Sequence, residues 1–383
     1  MQSYGTTSLY ELFGDLVILR NLAPIDQRLP ALAQVWHEIG LDGPRTPRKL
    51  EPAYARASAW FLNRAQGLES PGIPLRELLF IGDTALNDGN AYRNLCRAGG
   101  WPGWCFIGSE KPEQPPAHTV DADHLWLANR WSSLAGWLAW ALEEGAWCGP
   151  GTAVVVDMDK TAIGARGRNA AVIDRARVEG VRRTVAGLLG DVFDQPRFEA
   201  AYAELNEPAY HPFTADNQDY LAYICLVLGA GLASLDTLVA DVQADRMSSF
   251  RQFIDWADGR MVAAPAGLRT IHRQVYERVQ AGDPTPFKAF RQNEYLCTAA
   301  RFGNLPPSAP VEQLLQEQIC ITQEVREAAR WLKARGCLLV TMSDKPDEAT
   351  LPAAELEAQG YRPLHRLQTA AVGASLADHL ARL

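Results

Sequence analysis

The chain has 383 residues and a formal net charge of -8. That length favours two or three domains over a single simple unit. The composition is that of an ordinary folded protein, and the acidic balance argues against a nucleic-acid partner, because no basic surface neutralises phosphates in bulk. A local basic pocket for an anionic small molecule is compatible with these numbers.

In chain order, DLVIL at 15–19 reads as a strand, and residues 25–39 as a helix interrupted by Pro30. GPRTPR at 43–48 is a loop before a helix over 50–65. A short apolar strand at 78–81 runs into GDTALNDGN, followed by a helix over 91–98 and a strand at 104–107. EKPEQPPAH at 110–118 is a proline-rich connector. Residues 122–146 read as one long helix, with Trp126, Trp137 and Trp140 nearly on one face. Burial against a sheet is the expected use of that stripe, and a homodimer surface is the alternative. CGPG at 148–151 then turns into a β-branched strand over 152–156.

From 165 to 325 the pattern is almost wholly helical, with helices predicted over 171–189, 218–242, 266–280 and 288–299. The strand–helix rhythm then returns. A helix over 322–334 precedes a strand at 337–341, SDKP, a helix over 346–359 and a last strand near 364–371. Short apolar strands separated by helices predict a parallel sheet covered on both faces, a three-layer α/β core. Ligands of such sheets sit beyond the carboxyl ends of the strands. Polar clusters stand there at Gly82–Asp88, Asp157–Thr161 and Ser343–Lys345.

The seven cysteines are widely spaced and include no CxxC pair, which predicts free thiols in a reducing compartment. The opening MQSYGTTSLYELFGDL has no basic region followed by an apolar run, so no secretory signal is expected. The most lipid-like stretch, 125–142, contains Asn129, Arg130, Ser132 and Ser133 and fails as a membrane span. A cytoplasmic protein without a membrane partner is the expectation.

Asp157 and Asp159 end a buried strand in AVVVDMDKT. Carboxylates gathered at one place repel unless a cation or a shared proton relieves them, and oxygen-only clusters suit Mg²⁺. Asp83 and Asp88 stand at another strand end and can complete such a cluster. A carboxylate can act as a nucleophile, and a second one two residues away can move the proton of the leaving group. Taken singly, each of these acids also suits a helix cap or a turn.

Three stretches together resemble the haloacid dehalogenase-like (HAD) superfamily in its phosphatase branch. DMDKT at 157–161 is similar to its first motif, CLLVTMSDKP at 337–346 to its second and LLFIGDTALND at 78–88 to its fourth. The resemblance covers roughly 78–110, 150–165 and 325–370. It implies a Rossmann-like core, Mg²⁺ as cofactor and an aspartyl-phosphate intermediate. Asp157 would be nucleophile and metal ligand. Asp159 would be general acid and base, and a ligand through its backbone carbonyl. Asp83 and Asp88 would hold the metal, and Thr161, Ser343 and Lys49 the phosphate. Lys345 is the rival to Lys49.

The motif order departs from that family, since the acid motif at Asp83 precedes the nucleophile motif at Asp157. A circularly permuted core accounts for this. The competing account makes residues 1–150 a separate domain with a coincidental GDTALND. On the permuted reading, residues 1–164 are the first part of the core, 165–325 a helical cap and 326–383 the second part. Arg166 and Arg168, just beyond the first motif, could meet a substrate's other substituents, although plain solvated surface is the commoner use of such residues. A cap of that size favours a small phosphorylated metabolite over a folded protein. The expected activity is hydrolysis of a phosphate monoester. The alternatives are a phosphomutase on the same scaffold and a non-catalytic metabolite-binding or regulatory protein.

Overall fold

The computed structural model describes residues 1–383, apart from the side chain of Ala263. Its strands are β1 (Gln2–Thr7), β2 (Val17–Ile18), β3 (Glu77–Gly82), β4 (Gly103–Gly108), β5 (His118–Val120), β6 (Leu125–Ala128), β7 (Thr152–Val156), β8 (Ile321–Thr322), β9 (Leu338–Met342) and β10 (Thr369–Gly373). A 7-stranded sheet has the order β2-β9-β7-β3-β4-β6-β5. It is parallel except at its edge, where β5 runs antiparallel to β6. A separate 3-stranded sheet has the order β1-β10-β8.

Every residue of β3, β4, β7 and β9 is buried. Strands covered on both faces can be apolar at every position, which is why these runs do not alternate with polar residues. Their side chains still divide by the two-residue period of a strand. Leu79, Ile81, Phe106, Val154, Val156 and Leu339 join one core cluster. The helices Leu134–Glu143 and Gln323–Ala334 complete it with Trp137, Leu138, Ala328 and Leu332. Leu78, Phe80, Cys105, Ile107, Val155 and Val340 face the other cluster. There the helices Pro52–Glu69 and Asn87–Gly99 supply Phe61, Leu62, Tyr92 and Leu95. The expected α/β architecture is present.

Polar ties hold the central strands in register. The buried carboxylate of Glu77 accepts hydrogen bonds from the Trp147 and Cys148 amides, both at 2.9 Å, and from Thr152 Oγ1 at 2.6 Å. This fixes the turn before β7 against the start of β3, opposite the Glu77–Thr152 pair. At the other end of β7, Thr341 Oγ1 donates to the Val156 carbonyl at 2.8 Å.

The chain forms two compact units. One comprises Met1–Arg175, Thr298–Leu351 and Glu357–Leu383, and the other Ala176–Cys297 and Pro352–Leu356. These bounds differ from the expected 165–325 block, and the reason is local. Asn169 Nδ2 donates to the carbonyls of Leu315 and Gln318, at 2.7 and 2.9 Å, and β8 pairs with β10. Both flanks of the helical block therefore belong to the unit with the sheet. The second unit is helical around a core of its own, including Phe213, Tyr223, Phe253, Phe287 and Phe290. In it the buried Arg291 pairs with Asp219 at 2.5 Å and with Glu294 at 2.6 Å.

Several predicted elements differ. The expected helix over 122–146 is β6, a 3-10 turn at Trp131–Ser133 and the shorter helix Leu134–Glu143. Leu125–Ala128 finds an open strand edge on β4, and a short apolar run fits strand and helix equally well. Trp131 and Trp137 are fully buried in the core. The helix expected over 346–359 is a 3-10 turn at Asp347–Ala349 and a helix at Ala354–Ala358, because Pro352 interrupts it. The helix expected over 218–242 divides into Gln218–Gly229 and Leu235–Gln243, around Gly229 and Gly231. The helix expected over 25–39 shrinks to Leu32–Val35. The last strand, β10, lies in the small sheet and starts later than expected, at Thr369. No helix among the described residues is long and apolar enough to cross a membrane.

Candidate active site

β3, β7 and β9 are neighbours, with Ile81 opposite Val156 and Val156 opposite Thr341. The chain therefore leaves the sheet three times at one level. Asp83, Asp157 and Ser343 all follow at that carboxyl edge. The Asp157 amide donates to the Ile81 carbonyl at 2.9 Å, which extends the pairing to the aspartate itself. Carboxylate oxygens of Asp83, Asp88 and Asp157 lie within 4.8 Å of one another.

Asp88 comes from the first turn of the helix Asn87–Gly99. Its Oδ2 accepts from the Asp83 amide (3.0 Å), the Thr84 amide (2.9 Å) and Thr84 Oγ1 (3.0 Å). This closes the loop after β3 into a tight turn. Gly82 permits the closure, since a Cβ there would stand 2.6 Å from the Asp88 Cβ. Lys49 enters ahead of the helix Pro52–Glu69 and is 5% exposed. Its ammonium donates to Asp88 Oδ1 at 2.6 Å and to Asp157 Oδ1 at 2.8 Å.

The loop after β7 folds back on itself. The Ala162 and Ile163 amides donate to the Asp157 and Met158 carbonyls at 3.2 and 3.0 Å. Lys160 takes φ +63°, the left-handed region that favours glycine. Its ammonium pairs with Asp174 at 2.8 Å. Thr161 is fully buried, and its Oγ1 has no hydrogen-bond partner. Asp159 stands outside the three-acid cluster, with its carboxylate 3.1 Å from Lys345 Nζ. The Ser343 hydroxyl accepts from the Lys345 amide at 3.3 Å.

Both lysines weighed from the sequence are therefore at this edge, on different acids. Arg166 joins them, its Nε donating to Asp83 Oδ2. No spacing rule signals that contact, because the partners are 83 residues apart. Arg168, singled out alongside it, is committed to Glu110 at 2.6 Å and Glu324 at 2.9 Å. It holds the loop and not the acid cluster.

The charges do not balance. Three carboxylates face the two cations Lys49 and Arg166. Burial pushes the Asp157 carboxyl well above the usual range; Lys49 opposes this, while Asp88 and Asp83 add to it. Burial, with the Asp88 charge, pushes Asp83 up to about 7 against the pull of Arg166. Burial also disfavours the Asp88 carboxylate, but Lys49 and the hydrogen bonds from the Asp83–Thr84 turn hold it down to about 2. Lys49 stays charged despite burial because of Asp157 and Asp88. Three crowded carboxylates, two of them pushed toward protonation by burial and by neighbouring carboxylates, form a group whose oxygen ligands could hold a divalent cation.

No protein-family model matches this chain, and neither does any curated protein or solved structure compared with it.

Proposed function

We propose that this protein is a Mg²⁺-dependent phosphatase acting on a small phosphate monoester through a phosphorylated Asp157. The core would be a circularly permuted HAD-like one, with the helical unit inserted after Arg175 as its cap. The observation that carries this reading is the convergence of Asp83, Asp88 and Asp157, the last two sharing Lys49, with a second acid two residues past Asp157. Asp83 and Asp157 would hold the ion, and Asp88, already saturated by hydrogen bonds, would orient the turn that presents Asp83. Bound there, Mg²⁺ supplies the positive charge that keeps Asp157 ionised and draws in phosphoryl oxygens.

The chain's own groups account for the remaining chemistry. An Asp157 carboxylate oxygen attacks phosphorus, and the bond from phosphorus to the ester oxygen breaks. Asp159 gives its proton to the departing alkoxide. It then takes a proton from the water that attacks the phosphoryl-aspartate, releasing inorganic phosphate and restoring Asp157. Lys49, touching the nucleophile, is the better placed lysine to hold phosphoryl oxygens, and the Thr161 and Ser343 hydroxyls add donors.

The test is release of phosphate from a panel of small phosphate esters, with and without Mg²⁺. Asp159→Asn separates the two roles. It is expected to lower kcat about 10²–10⁴-fold for alkyl phosphates, whose leaving group needs a proton. Dephosphorylation also loses its base, so aryl phosphates slow as well, but less. Equal loss for both classes would sink the proton-donor role. No Mg²⁺-dependent hydrolysis across the panel would sink the phosphatase reading.

A further inference from the structure

Arg166 is the cation in this site whose role is left open. Its main chain is fixed. The Arg166 amide donates to the Lys160 carbonyl at 2.8 Å, and the Arg166 carbonyl accepts from the Glu110 amide at 2.9 Å and Trp131 Nε1 at 3.2 Å. The next residue, Gly167, has φ +76° and lies against Glu110, where a Cβ would come within 2.0 Å of the carbonyl oxygen. The side chain differs from this pinned backbone. It is 39% exposed, while the Asp83 side chain it reaches is 7% exposed. Lys49, by contrast, is enclosed and shared between two acids.

The charge count says what each arrangement costs. Counted with all three acids ionised, as a bound cation requires of its ligands, Lys49 and Arg166 alone leave one excess negative charge. With a divalent ion and both basic residues the site has one excess positive charge. With the ion and Lys49, and Arg166 withdrawn, it is neutral. Lys49 cannot withdraw without stranding Asp88, and Arg166 can turn into solvent about a fixed backbone.

We propose that Arg166 is a displaceable counter-ion: it holds Asp83 in the metal-free protein, and yields that carboxylate to the divalent cation. Arg166 is then a positioning residue. It keeps Asp83 aimed into the cluster while no ion is bound, and it sets the cation concentration at which the site fills. This inference rests on the metal site of the proposed function.

Mg²⁺ binding to the full chain, followed by titration calorimetry, tests it with wild type, Arg166→Gln and Arg166→Lys. Removing the competing charge is expected to tighten Mg²⁺ binding at least about 5-fold in Arg166→Gln, while Arg166→Lys stays near wild type. Ordinary structural damage would weaken binding, so tightening is a specific signature. Binding in Arg166→Gln that equals or falls below wild type overturns the exchange. If Arg166→Gln does not fold, the wild-type Arg166 Nε–H resonance decides: it is expected to lose protection from solvent exchange as Mg²⁺ saturates, and retained protection overturns the proposal. Absence of Mg²⁺ binding in wild type and Arg166→Gln alike overturns the metal site itself, a failure distinct from unchanged affinity.

Discussion

Asp157→Asn is expected to lower kcat for phosphate-ester hydrolysis by at least about a thousand-fold, the scale on which a lost nucleophile acts. The substitution keeps the shape of the side chain and an oxygen for Lys49, 2.8 Å away in the wild type. An amide oxygen does not form a stable phosphoryl adduct, so the covalent route closes. The same change removes one of three crowded carboxylates, whose burial pushes Asp157 well above the usual range. The metal-free variant is therefore expected to be at least as stable as wild type in urea unfolding. Loss of activity with undiminished stability identifies a group kept for chemistry. Retained hydrolysis would remove Asp157 from the mechanism.

Lys49→Met should act in the opposite sense on stability. It leaves Asp88 and Asp157 buried without their shared cation, and breaking such a pair costs about 3–5 kcal/mol. The pH dependence has a definite sign. Asp88 is held at about 2 in the folded protein, against an ordinary 3.8, with Lys49 the main opponent of burial. A depressed carboxyl contributes stability above its unfolded value and loses it as pH falls through its folded value. The deficit of Lys49→Met should be largest at neutral pH, where the stranded Asp88 carboxylate is ionised, and should narrow as pH falls toward 2. Mg²⁺ should restore part of it at pH 7, since the ion supplies the missing charge to the same acids. Denaturant unfolding of both proteins, with and without Mg²⁺, measures this. A variant as stable as wild type would mean that Lys49 does not balance these acids.

The parts of the site visible in the sequence were those carried by strong local patterns. Three apolar runs, each ending in a polar residue, marked β3, β7 and β9 and placed Asp83, Asp157 and Ser343 at strand ends. That the three strands are adjacent is a matter of long-range pairing, and only the register Ile81–Val156–Thr341 shows it. Lys49 was legible through its position ahead of a helix. Its double contact was not, because the partner acids lie 39 and 108 residues away. Arg166 was noticed for its charge, but its contact with Asp83, 83 residues away in sequence, left no local signal. β6 was misread because Leu125–Ala128 is too short for periodicity to decide, and pairing with β4 settled it. β1 was missed: Gln2–Thr7 is partly exposed, and it becomes a strand only by pairing with β10 from the far end of the chain.

The structure of the protein with saturating Mg²⁺ and trifluoroberyllate, a mimic of a phosphoryl group on a carboxylate, tests Asp157 as the nucleophile most directly. Trifluoroberyllate is expected on an Asp157 oxygen, with Mg²⁺ in contact with Asp157 and Asp83. Mg²⁺ absent from the three acids, or trifluoroberyllate bound elsewhere with the Lys49–Asp157 and Arg166–Asp83 pairs intact, would contradict it.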